Sequence, residues 1–433
     1  MNLALFPAIF RFRRALLAAA VAGLLLALAL WQLFATRQEV TLLAWEAPGE
    51  RGSLDGLLRE FERRNWRVKI SLETAATPEA AAAALRARVR NGKVPDAVFL
   101  RAEDLDALLA EKALRPFAVD ADEAQGQITA LRSAFERGGK TWALPFGWSV
   151  LMLYHDRGLF EACGIPPPKE FWDWGDLLAA AQALILRGED GRNVLRHGLA
   201  LEGSAAEVSA FLWQNRGQIT DEKGAWTLTD PRFVQSNEEA LSFYASLVSV
   251  HRVAPLPGGE KARTLFASKK AAMAIGPRRW AADLAGVKDL DWDIAPLPKG
   301  REPATVLDAY GCAVPRGAAH PEVGARLATF LARETSQAVL ALRGEIVPSR
   351  IPLLGSKVFL GFPTRRPARN DALVRCLPFA KPLGFGAHSR EASALLAEGA
   401  RELMSNPSRP ARAVLERMQE KLEKLDGEGI PAR

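Results

Sequence analysis

The chain predicts an α/β fold, on three observations. Short runs of strand-forming residues alternate with amphipathic helical stretches through residues 40–110. That strand–helix order implies a mostly parallel sheet covered by helices on both faces. The composition is globular: 48% hydrophobic and 25% charged over 433 residues, enough to bury large cores without disulfides or metals. Length divided by about 150 suggests two to three domains.

The elements follow in order. Val40–Trp45 is a short apolar run rich in strand formers. Leu54, Leu57, Leu58 and Phe61 share one face of a helix. Val68, Ile70 and Leu72 alternate along a second strand. Pro78 opens an alanine-rich helix that runs to about Arg90 and stops at Asn91-Gly92, since proline fits a first turn and glycine a C-terminal cap. Pro95–Leu100 is a third strand and Leu105–Ala110 a short helix. Trp142–Tyr154 reads WALPFGWSVLMLY, punctuated by Pro145 and Gly147, with an apolar strand following them. Asp173 suits the N-cap of a helix bearing Leu177, Leu178, Ala181 and Leu184. Strands are predicted at 271–275 and 291–297, and helices at 231–250, 262–266, 321–335, 392–403 and 409–425. The Arg/Pro/Gly-rich stretch 355–369 reads as irregular.

The amino terminus has a different character. Ala15–Ala35 is 21 residues with one polar side chain, Gln32, preceded by Arg11, Arg13 and Arg14. That length spans about 30 Å as a helix. The arginines predict a cytoplasmic tip and export of the rest. The reading for residues 1–37 is a transmembrane anchor or a signal peptide. The apolar run exceeds a usual signal core, and Leu33-Phe34-Ala35 makes a poor cleavage site.

Several function classes lose support. Net charge is +7, with no zinc-finger spacing and no long basic helix, so no nucleic-acid partner is expected. Cys163, Cys312 and Cys376 lie far apart, and the five histidines are scattered singly. No metal and no cofactor is therefore expected. No nucleophile elbow or other catalytic constellation is present, so the chain is not expected to be an enzyme.

Four blocks point to a family. They are Leu144–Leu178 (LPFGWSVLMLYHDRGLFEACGIPPPKEFWDWGDLL), Leu265–Trp280 (LFASKKAAMAIGPRRW), Trp292–Gly300 (WDIAPLPKG) and Leu342–Pro352 (LRGEIVPSRIP). In this order and spacing the chain resembles the extracellular solute-binding proteins that serve ABC-type sugar importers, the family containing maltose-binding protein. The resemblance covers nearly all of residues 40–425. It implies a periplasmic-binding-protein-like α/β fold of two lobes, with crossing hinge segments and an interlobe cleft. The first lobe would take residues 40–145 and 305–345, and the second 146–300 and 346–433. The implied function is an extracytoplasmic receptor, acting as a monomer, that binds a sugar by lobe closure and delivers it to permease subunits. A receptor for a non-sugar solute and an extracellular glycan-acting enzyme are the alternatives. Three tyrosines in all argue against iron ligation.

Sugar sites combine aromatic faces with polar groups for the hydroxyls. Trp45 ends the first strand, on the side where an open α/β sheet binds ligands, and Glu46 follows it. Arg101 and Glu103 follow the third strand. By resemblance Glu103 takes the place of a ligand-binding Asp, and Leu100 that of a stacking Trp. Arg101 would meet a carboxylated sugar or form a salt bridge. Trp213 is lining or core. Pro277-Arg278-Arg279 lengthens the family's spacing before Trp280, so either Arg278 or Trp280 would face the cleft. Tyr310 falls in the returning hinge segment.

Overall fold

The structure is a computed structural model that describes residues 19–28, 31, 37–45, 52–120, 123, 125–170, 172–191, 193–344, 346–361 and 367–427. Nine strands matter for the site. They are β1 (Gln38–Trp45), β2 (Val68–Ala75), β3 (Ala97–Arg101), β4 (Ala143–Asp156), β5 (Val194–Ala200), β6 (Ala271–Pro277), β7 (Trp292–Ala295), β8 (Thr305–Pro315) and β9 (Ala380–Pro382). They hydrogen-bond in the order β2-β1-β3-β8-β4-β6-β5, with β7 also on β4 and β9 also on β8. The principal helices are α1 (Gly52–Arg64), α2 (Pro78–Asn91), α3 (Ala205–Gln214), α4 (Val234–Ser249), α5 (Pro321–Ala332), α6 (Glu334–Leu342), α7 (Ser389–Ser405) and α8 (Ala411–Gly427).

Local chemistry sets the ends of several elements. Thr77 caps α2 by accepting from the Ala80 amide, and Gly92 closes it at φ 73°, where a side chain would be strained. Asp173 forms a capping box with Asp176 at the start of the helix Trp174–Ala183, as its sequence position predicts.

Apolar residues gather in two lobes and along the sheet between them. In the first lobe, Leu42, Phe61 and Leu327 pack between β1–β3 and helices α1 and α5. In the second, Phe211, Leu241, Leu396 and Leu415 join α3, α4, α7 and α8. A third cluster, including Trp148, Tyr154 and Trp292, follows β4. All fourteen residues of β4 are buried.

β4 and β8 run through both lobes. They pair antiparallel from Leu307 opposite Val150 to Ala313 opposite Ala143, with a shift between Tyr310 and Gly311. Gly311 faces Pro145 and Tyr310 faces Gly147, so Phe146 is the extra residue of a bulge. A bulge bends a strand and re-aims one side chain. Gly311 is required there, because a Cβ would lie 2.8 Å from the Phe135 ring. A third segment runs alongside: Val347 bridges Trp148, the Trp148 indole donates to the Pro348 carbonyl at 2.8 Å, and the Ser349 hydroxyl donates to the Pro145 carbonyl at 2.9 Å.

About half of the predicted membrane segment Ala15–Ala35 lies outside the described residues. Residues 19–28 are helical and exposed. Among the described residues no helix is long and apolar enough to cross a membrane. The three cysteines are unpaired.

Candidate functional site

A cavity of about 690 Å³ opens where the lobes meet at the bulge. Its first-lobe wall is aromatic. Trp45 at the end of β1 meets Phe99 edge-on at 5.5 Å and Tyr310 edge-on at 5.8 Å, with Phe146 at 6.5 Å. Phe99 and Phe146 lie 4.4 Å apart. Trp45 stays partly exposed toward the cavity, and the bulge delivers Phe146 beside it. The sheet thus offers apolar ring surface at the carboxyl end of a parallel strand, the usual ligand side of such sheets.

Beside the rings sits an ion cluster centred on Arg101. Its Nε donates to Asp308 at 2.8 Å, Nη1 to Glu79 at 2.8 Å and Nη2 to Glu103 at 3.0 Å. Strand pairing explains the meeting. Arg101 lies opposite Tyr310 in the β3–β8 register, and Asp308, two residues along β8, projects from the same face. The Tyr310 hydroxyl donates to Asp308 at 3.0 Å, and Arg279 approaches that carboxylate at 3.5 Å. Burial alone would weaken the Arg101 charge, but Asp308 and Glu103 outweigh it and hold the guanidinium protonated. Burial pushes Glu103 up to about 7, with repulsion from Asp308 adding to it and Arg101 opposing it. Tyr310 is pushed up by burial and by Asp308.

The second-lobe wall is built from Glu202, Ser204, Lys261, Arg263, Trp280 and Asp283. Arg263 pairs with Asp283. Trp280 presents little surface, being 6% exposed. Its ring lies over Gly276, where an added Cβ would come within 2.3 Å of it, and 5.6 Å from Tyr154.

Of the sequence candidates, the structure brings Trp45, Arg101, Glu103, Trp280 and Tyr310 to one cavity. Glu46 lies outside the described residues. Two open readings are narrowed. Trp213 belongs to the second-lobe core, with α3 buried on every side, and its ring faces a separate 550 Å³ hollow beside Lys381. Arg278 is turned inward: its amide donates to Ser149 Oγ at 2.8 Å and its Nε to Asn370 Oδ1 at 3.3 Å, so Arg279 faces the cavity instead. Glu79, Phe146 and Arg279 are not singled out by the sequence; Asp308 is, but only as one of several acids that a glycan-acting enzyme could use. For Asp308 a signal existed, namely a lone acid inside the apolar run TVLDAYGCAVP. Among the described residues no group of three or more His, Cys, Asp or Glu side chains is arranged to hold a metal.

Two lobes joined by continuous strands, with a concave aromatic and polar cleft at the joint, define a hinged solute-binding protein. Residues 56–351 match the bacterial extracellular solute-binding proteins, and the chain belongs to that family. Relatives in Brucella abortus and Brucella suis, each named only as a binding protein, are 27% identical over 200 residues, 44% of this chain; the match covers 45% of their length. Solved structures share the fold. An ABC substrate-binding protein of Listeria monocytogenes in complex with cycloalternan superposes with a TM-score of 0.79 at 21% identity, covering 90% of this chain and 99% of that one. The maltose/maltodextrin-binding domain of Bdellovibrio bacteriovorus bound to maltotriose gives 0.76 at 17% identity, covering 90% and 100%. A Mycobacterium tuberculosis protein in complex with glycerophosphocholine gives 0.76 at 16% identity, covering 90% and 99%.

Proposed function

We propose that the chain is the receptor of an ABC-type importer that closes its lobes on a sugar or oligosaccharide and presents it to membrane permease subunits. The observation that carries this reading is the composition of the 690 Å³ cavity, within the size range of small-molecule sites. Trp45 gives ring surface for the apolar face of a sugar, seated on Phe99, Phe146 and Tyr310, which are buried and show only their rims. Arg101, Glu79, Glu103 and Asp308 give donors and acceptors for its hydroxyls. The sugar complexes of the Listeria and Bdellovibrio proteins, which share the fold, support the same ligand class.

The lobes would divide as 40–145 with 305–345 and 146–300 with 346–433, and the protein would work as a monomer. Residues 1–37 would hold it to the membrane or serve as its export signal, which places the cleft outside the cytoplasm. The chain would act by binding alone. Glycosidases set two carboxylates on either side of a bond. Here Glu79, Glu103 and Asp308 all bond to one guanidinium and form one cluster.

A thermal-shift screen of the purified chain against mono- and oligosaccharides tests the reading, because a ligand bound to the native state raises the transition as ln(1 + [L]/Kd). A concentration-dependent rise with at least one neutral sugar is expected. No rise across the panel, or release of product from glycosides, would overturn it.

A further inference from the structure

We infer that this cleft selects against anionic ligands, with Glu103 as the residue that sets the preference: it takes neutral or cationic sugars and rejects uronates and sugar phosphates. The inference deepens the sugar-receptor reading and rests on it. The argument is an inventory of charge already spent. Arg101 is shared among Asp308, Glu103 and Glu79. Arg279 approaches Asp308 at 3.5 Å, and Arg263 pairs with Asp283. Among the described lining residues every guanidinium therefore faces a carboxylate of the protein, and the carboxylates in these pairs outnumber the guanidiniums by one. Lys261 and Glu202, which also line the cavity, cancel in net charge, and Lys261 is exposed to solvent, where an ion pair contributes little.

A carboxylate or phosphate on a ligand would have two ways to bind. It could displace a protein carboxylate from its arginine, leaving that group desolvated and unpaired. Otherwise it could remain unpaired itself beside surplus negative charge. Both are costly in a partly enclosed site. A hydroxyl meets neither problem, since the cluster's carboxylates accept further hydrogen bonds. An ammonium group gains a charged partner from the surplus. Glu103 is central because it both bonds to Arg101 and lines the cavity, at 22% side-chain exposure, within a cluster that already contains Asp308 and Glu79.

The test is titration calorimetry on the full chain at pH 8, above the value near 7 to which burial pushes Glu103. Each neutral sugar is paired with its charged counterparts: glucose with glucosamine, glucuronate and glucose 6-phosphate; galactose with galactosamine and galacturonate; maltotriose with its aldonic acid. The neutral or amino member of a recognised set should bind at least tenfold tighter than the anionic member. Glu103→Gln, which keeps the shape and removes the charge, should shrink that gap by about tenfold. Glu79→Gln, at the more exposed edge of the cluster, should shrink it less, and serves if the first variant does not fold. Equal or tighter binding of the anionic member would overturn the inference and leave the sugar-receptor reading standing, as would an unchanged ratio in E103Q, or in E79Q if that variant has to stand in. No binding by any sugar would overturn the sugar-receptor reading, and the inference with it.

Discussion

Trp45 and Trp280 both border the cleft, yet the two walls use them for different purposes. Trp45 leans its edges on Phe99, Phe146 and Tyr310 and keeps ring surface toward the cavity. Trp280 is 6% exposed and lies against Gly276 and Tyr154. One indole is surface held in place; the other is core that shows a rim. Apolar surface available to a ligand is thus concentrated on the first-lobe wall, while the second-lobe wall contributes mainly polar side chains. A tryptophan at a pocket edge is informative only once the packing beneath it is known.

The contrast can be broken most sharply at Trp280. Trp280→Ala empties a packed site, and large aromatic truncations in cores cost about 3–5 kcal/mol. Denaturant unfolding should show that loss; a drop below about 1 kcal/mol would place Trp280 with the binding surface. Trp45→Ala should behave in the opposite way. Its expected effect is a 5- to 150-fold loss of affinity for a recognised sugar, equivalent to about 1–3 kcal/mol, with a smaller loss of stability. Calorimetry and an unfolding midpoint on the same preparation separate the two. Unchanged affinity with a large midpoint shift would make the two walls alike.

A smaller effect concerns the floor of the second wall. Glu207 is buried at the start of α3, where it accepts from the Tyr244 hydroxyl at 2.6 Å and the Gly203 amide at 2.8 Å, yet burial pushes it up to about 7 from 4.5. Between those values the folded chain holds a proton that the unfolded chain has released. Stability therefore falls as pH rises from about 4.5 to 7, by on the order of 1–3 kcal/mol from this group. Glu207→Gln should flatten the slope of unfolding free energy against pH over that window; an equally steep slope would assign it elsewhere. The smallest effect is expected at Arg390 on α7, which donates to the Glu79 carbonyl at 3.1 Å and stands 3.6 Å from Asp104. This partly exposed contact links the second lobe to the first. Arg390→Ala should cost about 0–1 kcal/mol of stability. Small-angle scattering should nonetheless show a more open ligand-free particle; an unchanged particle would mean the contact does not bias the lobes.

Much of the fold was legible because local rules governed it. Helix α2, its Pro78 and Gly92 ends, and the cap at Asp173 follow from residue chemistry within a turn or two. Strand β8 was not read as a strand. Buried along nearly its whole length and broken by Asp308 and Gly311, it has no alternation to betray it. The site divides the same way. Trp45, Arg101 and Glu103 stand at strand ends and could be named from position. Arg279 and Phe146 reach the cavity through the turn after β6 and a one-residue bulge, neither of which has a local signature, while Asp308 stands out as a lone acid in an apolar run but meets Arg101 only through the β3–β8 register. Trp213, open between lining and core in the sequence, falls in the core because α3 is buried almost all round.

The β3–β8 pairing also bears on how the chain is made. Phe99 finds its partner Cys312 only after roughly two hundred further residues have been synthesised, on the order of 10–40 s at about 5–20 residues per second. Until then the first lobe's sheet ends at β3, with an open edge and half its core uncovered. The amino-terminal half has no native resting state during that interval. Through that interval the exposed β3 edge is a ready template for mispairing.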